Sequence, residues 1–393
     1  MLCALLLGAC LSLAQTPQVA QPPPPITFPD WKEIDRSATE VEYTETFPSA
    51  METPYPANNV VPLHILMPAQ ASGPVPAVIV LHYWGTRDLK VERALGAELN
   101  RHDIAAILVT LPYHLSRTPP GYESGELALE PDPDLITQNM IQSIWDVRRT
   151  ADWIDSRPEF DHTRVGIAGS SLGAIVATMA YGVDKRFVDA TFVLGGVDLA
   201  RIIWTSSRTV REKEVLRHEG YTEDKLRKAL APIEPLPFVE ARKSGTAFVV
   251  GANYDTVMPR ASTEELIHAL GNPKTLFLDT GHYGGIFVER RLLREVGNFF
   301  GAEFSGKDFI PPPRIYAPTI RIGGIANSID GFDLAAGLDL FKFDREGNAF
   351  STLLITPRGT DLFIGRRLDN RISIGVLGTR SKVGVALFWS TVL

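Results

Sequence analysis

Up to about residue 304 the chain alternates short apolar runs with amphipathic stretches. Residues 77–81, 104–111, 163–168, 189–194, 246–251 and 274–278 are apolar runs of the kind buried on both faces of a parallel sheet. Between them, residues 89–101, 136–157, 174–180, 262–270 and 290–300 carry apolar side chains at helical spacing. Ser262 and Glu265 stand at capping-box spacing and predict the opening of the 262–270 helix. Upstream, residues 38–50 and 60–67 read as two antiparallel edge strands split by the turn-forming Pro54-Tyr-Pro56. Strands alternating with helices predict an α/β class: a doubly wound, mostly parallel sheet covered on both faces.

Two regions break this rhythm. Residues 199–244 form charged helical segments punctuated by Pro232, Pro235 and Pro237. An insertion there overhangs the carboxyl ends of the strands and is expected to act as a lid. Beyond a Pro-rich linker at 305–318, helical spacing gives way to period two, as in Phe332, Leu334, Ala336, Leu338 and Leu340. Residues 319–393 therefore predict a β-rich accessory module, a β-meander of five or six strands, fewer than a membrane barrel of eight requires. It is expected to pack on the main domain or on a second copy, giving a homodimer; its apolar ending at 383–393 also suits attachment to a membrane.

Composition narrows the class. The net charge is −7, with both signs dispersed and no basic stripe, so nucleic acid is not an expected partner. A hydrophobic content of 45% with 22% charged residues is that of a globular protein. The two cysteines, Cys3 and Cys10, lie in the first ten residues, so residues 38–304 hold no cysteine nucleophile, zinc site or disulfide framework. The opening apolar stretch, residues 1–14, is too short to span a bilayer and reads as an export signal. Small residues ahead of Gln15 suit cleavage that releases a soluble protein, whereas Leu7-Gly8-Ala9-Cys10 resembles a lipobox, with a signal at 1–9 and a lipidated, membrane-attached Cys10. Either way the body is expected to be exported, as a periplasmic, outer-surface or secreted protein. Residues 15–37 then form an extended, Pro-rich linker and N-terminal extension.

The chemistry centres on Gly169-Ser170-Ser171-Leu172-Gly173, a Gly-x-Ser-x-Gly turn between a strand and a helix. The glycines let strand and helix backbones approach, and Ser171 is lifted to the tip, above the helix N-terminus. A serine needs a base in reach and a third group to orient that base. Both follow in chain order. Asp255 lies in the loop after the 246–251 strand, with Asp198 as substitute acid, and His282 lies after the 274–278 strand, between flexible glycines. The backbone N–H of Leu172 is one expected oxyanion donor; Trp84, or Tyr83, in His82-Tyr83-Trp84-Gly85 is the other. His82 is expected to be a structural hydrogen bonder. Every one of these residues falls at a strand's carboxyl end, where ligands bind in such sheets.

Taken together, these loops resemble the α/β-hydrolase superfamily over about residues 60–302, with Leu111-Pro-Tyr-His114 and the helical insertion similar to its esterase, dienelactone-hydrolase-like and acyl-peptidase-like branches. The resemblance implies the α/β-hydrolase fold over 38–304 and a serine hydrolase that works through an acyl-enzyme without a cofactor or metal. It implies a small-molecule ester substrate. A peptidase of the acyl-peptidase or prolyl-oligopeptidase type and a catalytically silent binding protein are the alternatives.

Overall fold

The computed structural model describes residues 17–392 apart from 243–245, 272, 314, 316–317, 345–347 and 370. The expected export signal, with Cys3, Cys10 and the Gln15 cleavage point, lies outside the described residues, as do parts of the 305–318 linker and the end of the 199–244 insertion.

Nine strands form the main sheet, in the order β1-β2-β3-β5-β4-β6-β7-β8-β9. Its antiparallel edge comprises β1 (Lys32–Arg36), β2 (Glu40–Pro48) and β3 (Val60–Pro68), the last pairing with β5 (Ala105–Val109). From β5 onward the pairs are parallel: β4 (Val75–Leu81), β6 (Phe160–Ser170), β7 (Phe187–Val193), β8 (Thr246–Ala252) and β9 (Lys274–Leu278). Every residue of β4 and β5 is buried, which is why these strands read as unbroken apolar runs. Alternate residues of one strand serve two cores. Ala77 and Ile79 face one cluster, Val78 and Val80 the other.

Helix α1 (Lys90–Asn100) and the closing α9 (Glu289–Glu303) cover one face, through Leu95, Leu99, Leu292 and Phe300. The opposite face carries α2 (Pro133–Asp155), α3 (Leu172–Val183) and α8 (Arg260–Ala269). Helix α2 starts where Asp132 accepts hydrogen bonds from the Asp134 and Leu135 amides. The capping box expected at Ser262 is not formed. Helix α8 begins two residues earlier, after Pro259, and Ser262 is buried in its first turn with its amide donating to the Pro259 carbonyl. A proline turn has replaced the side-chain cap.

Among the described residues the insertion holds four α-helices, α4 (Leu199–Thr205), α5 (Val210–His218), α6 (Glu223–Leu230) and α7 (Leu236–Glu240), with a 3-10 turn at Ala231–Ile233. Leu216, Leu226, Leu230 and Ile233 are buried in the core it shares with α2 and α3, so this cover is anchored by packing. The N-terminal extension also differs from an extended linker. Val19 is buried, Arg148 donates to the Gln21 carbonyl, and Arg149 donates to those of Pro24 and Pro48 at 2.6 and 2.7 Å. Two cationic side chains of α2 satisfy carbonyls that proline-rich chain cannot pair internally.

The C-terminal strands form a closed antiparallel barrel where the sequence predicts a meander: β10 (Ile320–Asn327), β11 (Gly331–Lys342), β12 (Ala349–Thr356), β13 (Gly359–Arg367), β14 (Ile372–Gly378) and β15 (Val383–Val392). Each strand pairs with the next, and β15 returns to pair with β10. So few strands curve tightly. A Cβ at Gly323 would lie 1.9 Å from the Trp389 carbonyl oxygen, and one at Gly375 would lie 2.2 Å from that of Ile364. Ile325, Phe350, Leu354, Phe363 and Phe388 fill the interior. Arg321 meets Asp339 there at 2.8 and 2.9 Å, and Thr352 donates to the same carboxylate at 2.6 Å.

Candidate active site

Strand β6 passes into α3 through Ser171, whose φ of +51° lies in the region non-glycine residues rarely occupy. The neighbouring glycines make this turn possible. A Cβ on Gly169 would sit 2.2 Å from the Gly173 carbonyl oxygen, and one on Gly173 would sit 2.4 Å from that of Leu81. The Ser171 amide is spent on the Val193 carbonyl at 2.9 Å, which ties the turn to β7 and leaves the side chain at the end of α3.

His282 and Asp255 meet this serine. His282 Nε2 stands 3.0 Å from Ser171 Oγ, and His282 Nδ1 stands 2.7 Å from Asp255 Oδ2. The other carboxylate oxygen of Asp255 accepts from the Val257 and Met258 amides at 2.8 and 2.7 Å. A carboxylate receiving three donors is fixed in orientation, so its partner Nδ1 carries the proton and Nε2 is free to accept from the hydroxyl. Asp255 thus orders its loop and holds the imidazole at once. Asp198, the substitute acid, is committed elsewhere: it caps α4 and pairs with Arg201 and Arg227 at 2.9 and 3.1 Å.

The loop after β4 forms the facing wall. His82 is buried, and burial, with repulsion from His114 and Arg117 opposed by the Tyr83 carbonyl, pushes its imidazole down to about 3. It is therefore neutral, donating from Nδ1 to the Tyr83 carbonyl at 2.9 Å and accepting the Leu111 amide on Nε2 at 3.0 Å. His82 braces two loops. The glycine missing at position 83 is supplied two residues later, where Gly85 takes φ +72°. Trp84 is held by its indole N–H on the Gly125 carbonyl at 2.7 Å, and both it and Leu172 line a cavity beside Ser171. Tyr83 stands beside a second cavity.

Those cavities open on either side of the serine. The smaller, about 100 Å³, has apolar walls including Leu129, Met140, Ile175, Ile202, Ile203 and Met258. Ile202 and Ile203 come from the insertion; Leu216, at comparable distance in sequence, is instead core packing. The larger, about 490 Å³, runs from Ser171 and His282 between the sheet and helices α1 and α9. Arg208, between α4 and α5, crosses the boundary of the two. Its guanidinium lies 4.8 Å from the Trp84 ring and donates to the Trp84 carbonyl and to Tyr283 Oη, each at 3.3 Å. Nothing in the local sequence marks this arginine, because its position depends on how the insertion folds back. Glu92 was equally unmarked. It is a buried carboxyl on the wall of the larger cavity, with Oε2 unpartnered among the described residues.

No family model matches the chain. The chain is similar to the Uncharacterized protein Rv2627c of Mycobacterium tuberculosis, at 24% identity over 245 residues, 61% of this chain; the match spans just over half, 56%, of that relative's length. Among solved structures, an acetyl xylan esterase from Paenibacillus sp. R4 superposes with a TM-score of 0.56 at 20% identity, over 68% of this chain and 88% of that one. Acetyl Xylan Esterase 1 from Thermoanaerobacterium sp. JW/SL YS485 superposes with a TM-score of 0.50 at 14% identity, over 68% and 87%. Identities this low speak to architecture, and together with the sheet order and the strand–serine–helix turn they give one conclusion: the chain has the α/β-hydrolase fold.

Proposed function

We propose that this protein is a serine hydrolase of carboxylic esters. The observation that carries the reading is the run of contacts from Asp255 through His282 to Ser171, at 2.7 and 3.0 Å, on a strained turn between two cavities. Ser171 Oγ attacks the acyl carbon while its proton passes to His282 Nε2. Asp255 holds the Nδ1–H and offsets the positive charge that develops on the ring. The tetrahedral oxyanion is received by the Leu172 amide, which heads α3 and has the helix dipole behind it, and by the amide of Trp84 or Tyr83. Collapse breaks the bond to the leaving oxygen, which takes the proton from Nε2. Water then repeats the sequence on the acyl-enzyme and regenerates the serine. The confined apolar cavity suits a short acyl group, and the larger one the alcohol side. The esterase names of the superposed structures support ester chemistry.

The test is turnover of p-nitrophenyl acetate and butyrate by the full chain and by Ser171→Ala. We expect kcat to fall at least ~10³-fold in the variant. A variant that turns over as fast as the parent removes Ser171 from the mechanism.

A further inference from the structure

Most of the large apolar side chains exposed by the described residues belong to the barrel, although it is the smaller of the two bodies. They are its outward positions. Leu334 and Leu338 point out on β11, Leu353 and Ile355 on β12, Leu362 and Ile364 on β13. Ile372, Ile374 and Val376 do so on β14, and Val383, Val385, Leu387 and Trp389 on β15, with exposures as high as 75% at Val383. A sheet with one face on a core and the other in water alternates apolar with polar. Here the inward positions are apolar too, and the charged pair Arg321–Asp339 is inside.

The distribution selects the occupant. In a ring of six strands, β11 faces away from β14 and β12 from β15, yet all four are apolar outward. One flat partner, or a second copy across a two-fold axis, covers one sector and leaves the opposite one wet. Hydrocarbon covers all of them. The ends are polar. Asp330, Arg358, Arg380 and Lys382 ring the tip farthest from the main domain, around a polar recess of about 370 Å³. Along β11 the apolar window from Phe332 to Phe341 measures about 30 Å at ~3.4 Å per residue, or about 22 Å along the axis at the ~45° tilt usual for barrel strands, close to the ~25 Å apolar band of lipid-embedded barrels. Phe341 lies towards the main-domain end and Phe332 towards the tip, where interfacial aromatics stand in such barrels, whereas Trp389, opposite Gly324 at the middle of the β10–β15 ladder, lies within the apolar band. Closure leaves no unpaired strand edge, which lipid would not tolerate.

From this girdle we infer that the C-terminal barrel is embedded in the hydrocarbon of a lipid bilayer and holds the catalytic domain at its surface. Six strands are fewer than the eight of the smallest outer-membrane-type barrels, the count that argues against a membrane barrel in the sequence. What hydrocarbon itself requires is closure and an apolar wall, and side chains fill this narrow interior in place of a lumen. With a net charge of −7 the attraction is expected to be apolar, so neutral lipid suffices.

The test uses the full chain carrying Cys10→Ser, so that no N-terminal acyl chain contributes, and vesicles of pure phosphatidylcholine. The protein is expected to float with the vesicles. Leu334→Glu/Ile374→Glu/Val385→Glu, charging three strands, is expected to lower the bound fraction at least tenfold while p-nitrophenyl ester turnover is retained. A second readout needs no charged variant: dibrominated phosphatidylcholine is expected to quench tryptophan fluorescence in the parent, and Trp389→Phe to remove most of that quenching. The inference is overturned if the parent stays in the aqueous fraction as a monomer, if it forms a closed oligomer in water that buries the girdle, or if Trp389→Phe leaves the quenching unchanged.

Discussion

Glu92 illustrates what a single buried group contributes. Burial, reinforced by the neighbouring carboxylates Asp88 and Glu289, pushes its carboxyl up from about 4.5 to about 7. The folded protein therefore keeps a proton that the unfolded chain releases, and stability falls as the pH rises between those values, by at most ~3 kcal/mol. Glu92→Gln is expected to unfold at higher denaturant than the parent at pH 8 and at the same concentration at pH 4.5. Equal pH dependence in both proteins contradicts the assignment. The same scale shows what was legible. Ser171, Asp255 and His282 each sit in a local signature, a glycine-flanked turn or a loop after an apolar run, and the structure brings all three into contact. Arg208 and Glu92 have no such signature. One is a charge among many in the insertion, the other an ordinary polar position on an amphipathic helix, and only tertiary packing puts them on the cavity walls.

At the scale of elements, the turn between β6 and α3 depends on atoms that cannot move aside. The Cβ of Gly173→Ala would press on the Leu81 and His82 carbonyl oxygens at 2.4 and 2.6 Å, both backbone atoms of β4 and its loop. The helix must shift, and a displacement of ~1 Å at a reacting group costs on the order of 10²-fold in rate. We expect kcat for p-nitrophenyl acetate to fall by that factor, with a melting temperature lowered by a few degrees; parental kcat and melting temperature in the variant would show the contact to be harmless. Helix and strand periods were readable throughout the main sheet because burial of β4 and β5 is complete. The start of α8 was not. Ser262 and Glu265 have capping-box spacing, but Pro259 already turns the chain, and the serine becomes part of the helix it was expected to cap.

For the molecule as a whole, the barrel braces the loops of the candidate site. Lys342 Nζ donates to the Asp279 carbonyl at 2.7 Å and lies 4.3 Å from the Tyr254 ring, which Arg367 flanks at 4.7 Å. Asn253 in turn donates to Asp279 Oδ1 at 2.8 Å, joining the Asp255 and His282 loops to one another. Lys342→Met is expected to lower kcat about tenfold, the equivalent of ~1.4 kcal/mol, with KM unchanged and Lys342→Arg partly restoring it. A kcat equal to the parent's means that the barrel does not set loop geometry. Period-two runs disclosed the strands of this module but not their closure, since nothing in β10 or β15 alone says that they pair. That pairing has a temporal consequence. Residues 321 and 392 are partners, so the barrel closes only after its last strand has left the ribosome, while β9, the last strand of the α/β sheet, ends at Leu278, about 110 residues earlier. Until then β10 and β14 present open edges, and the interval is one in which a chaperone or a membrane must receive the nascent chain before it finds another edge.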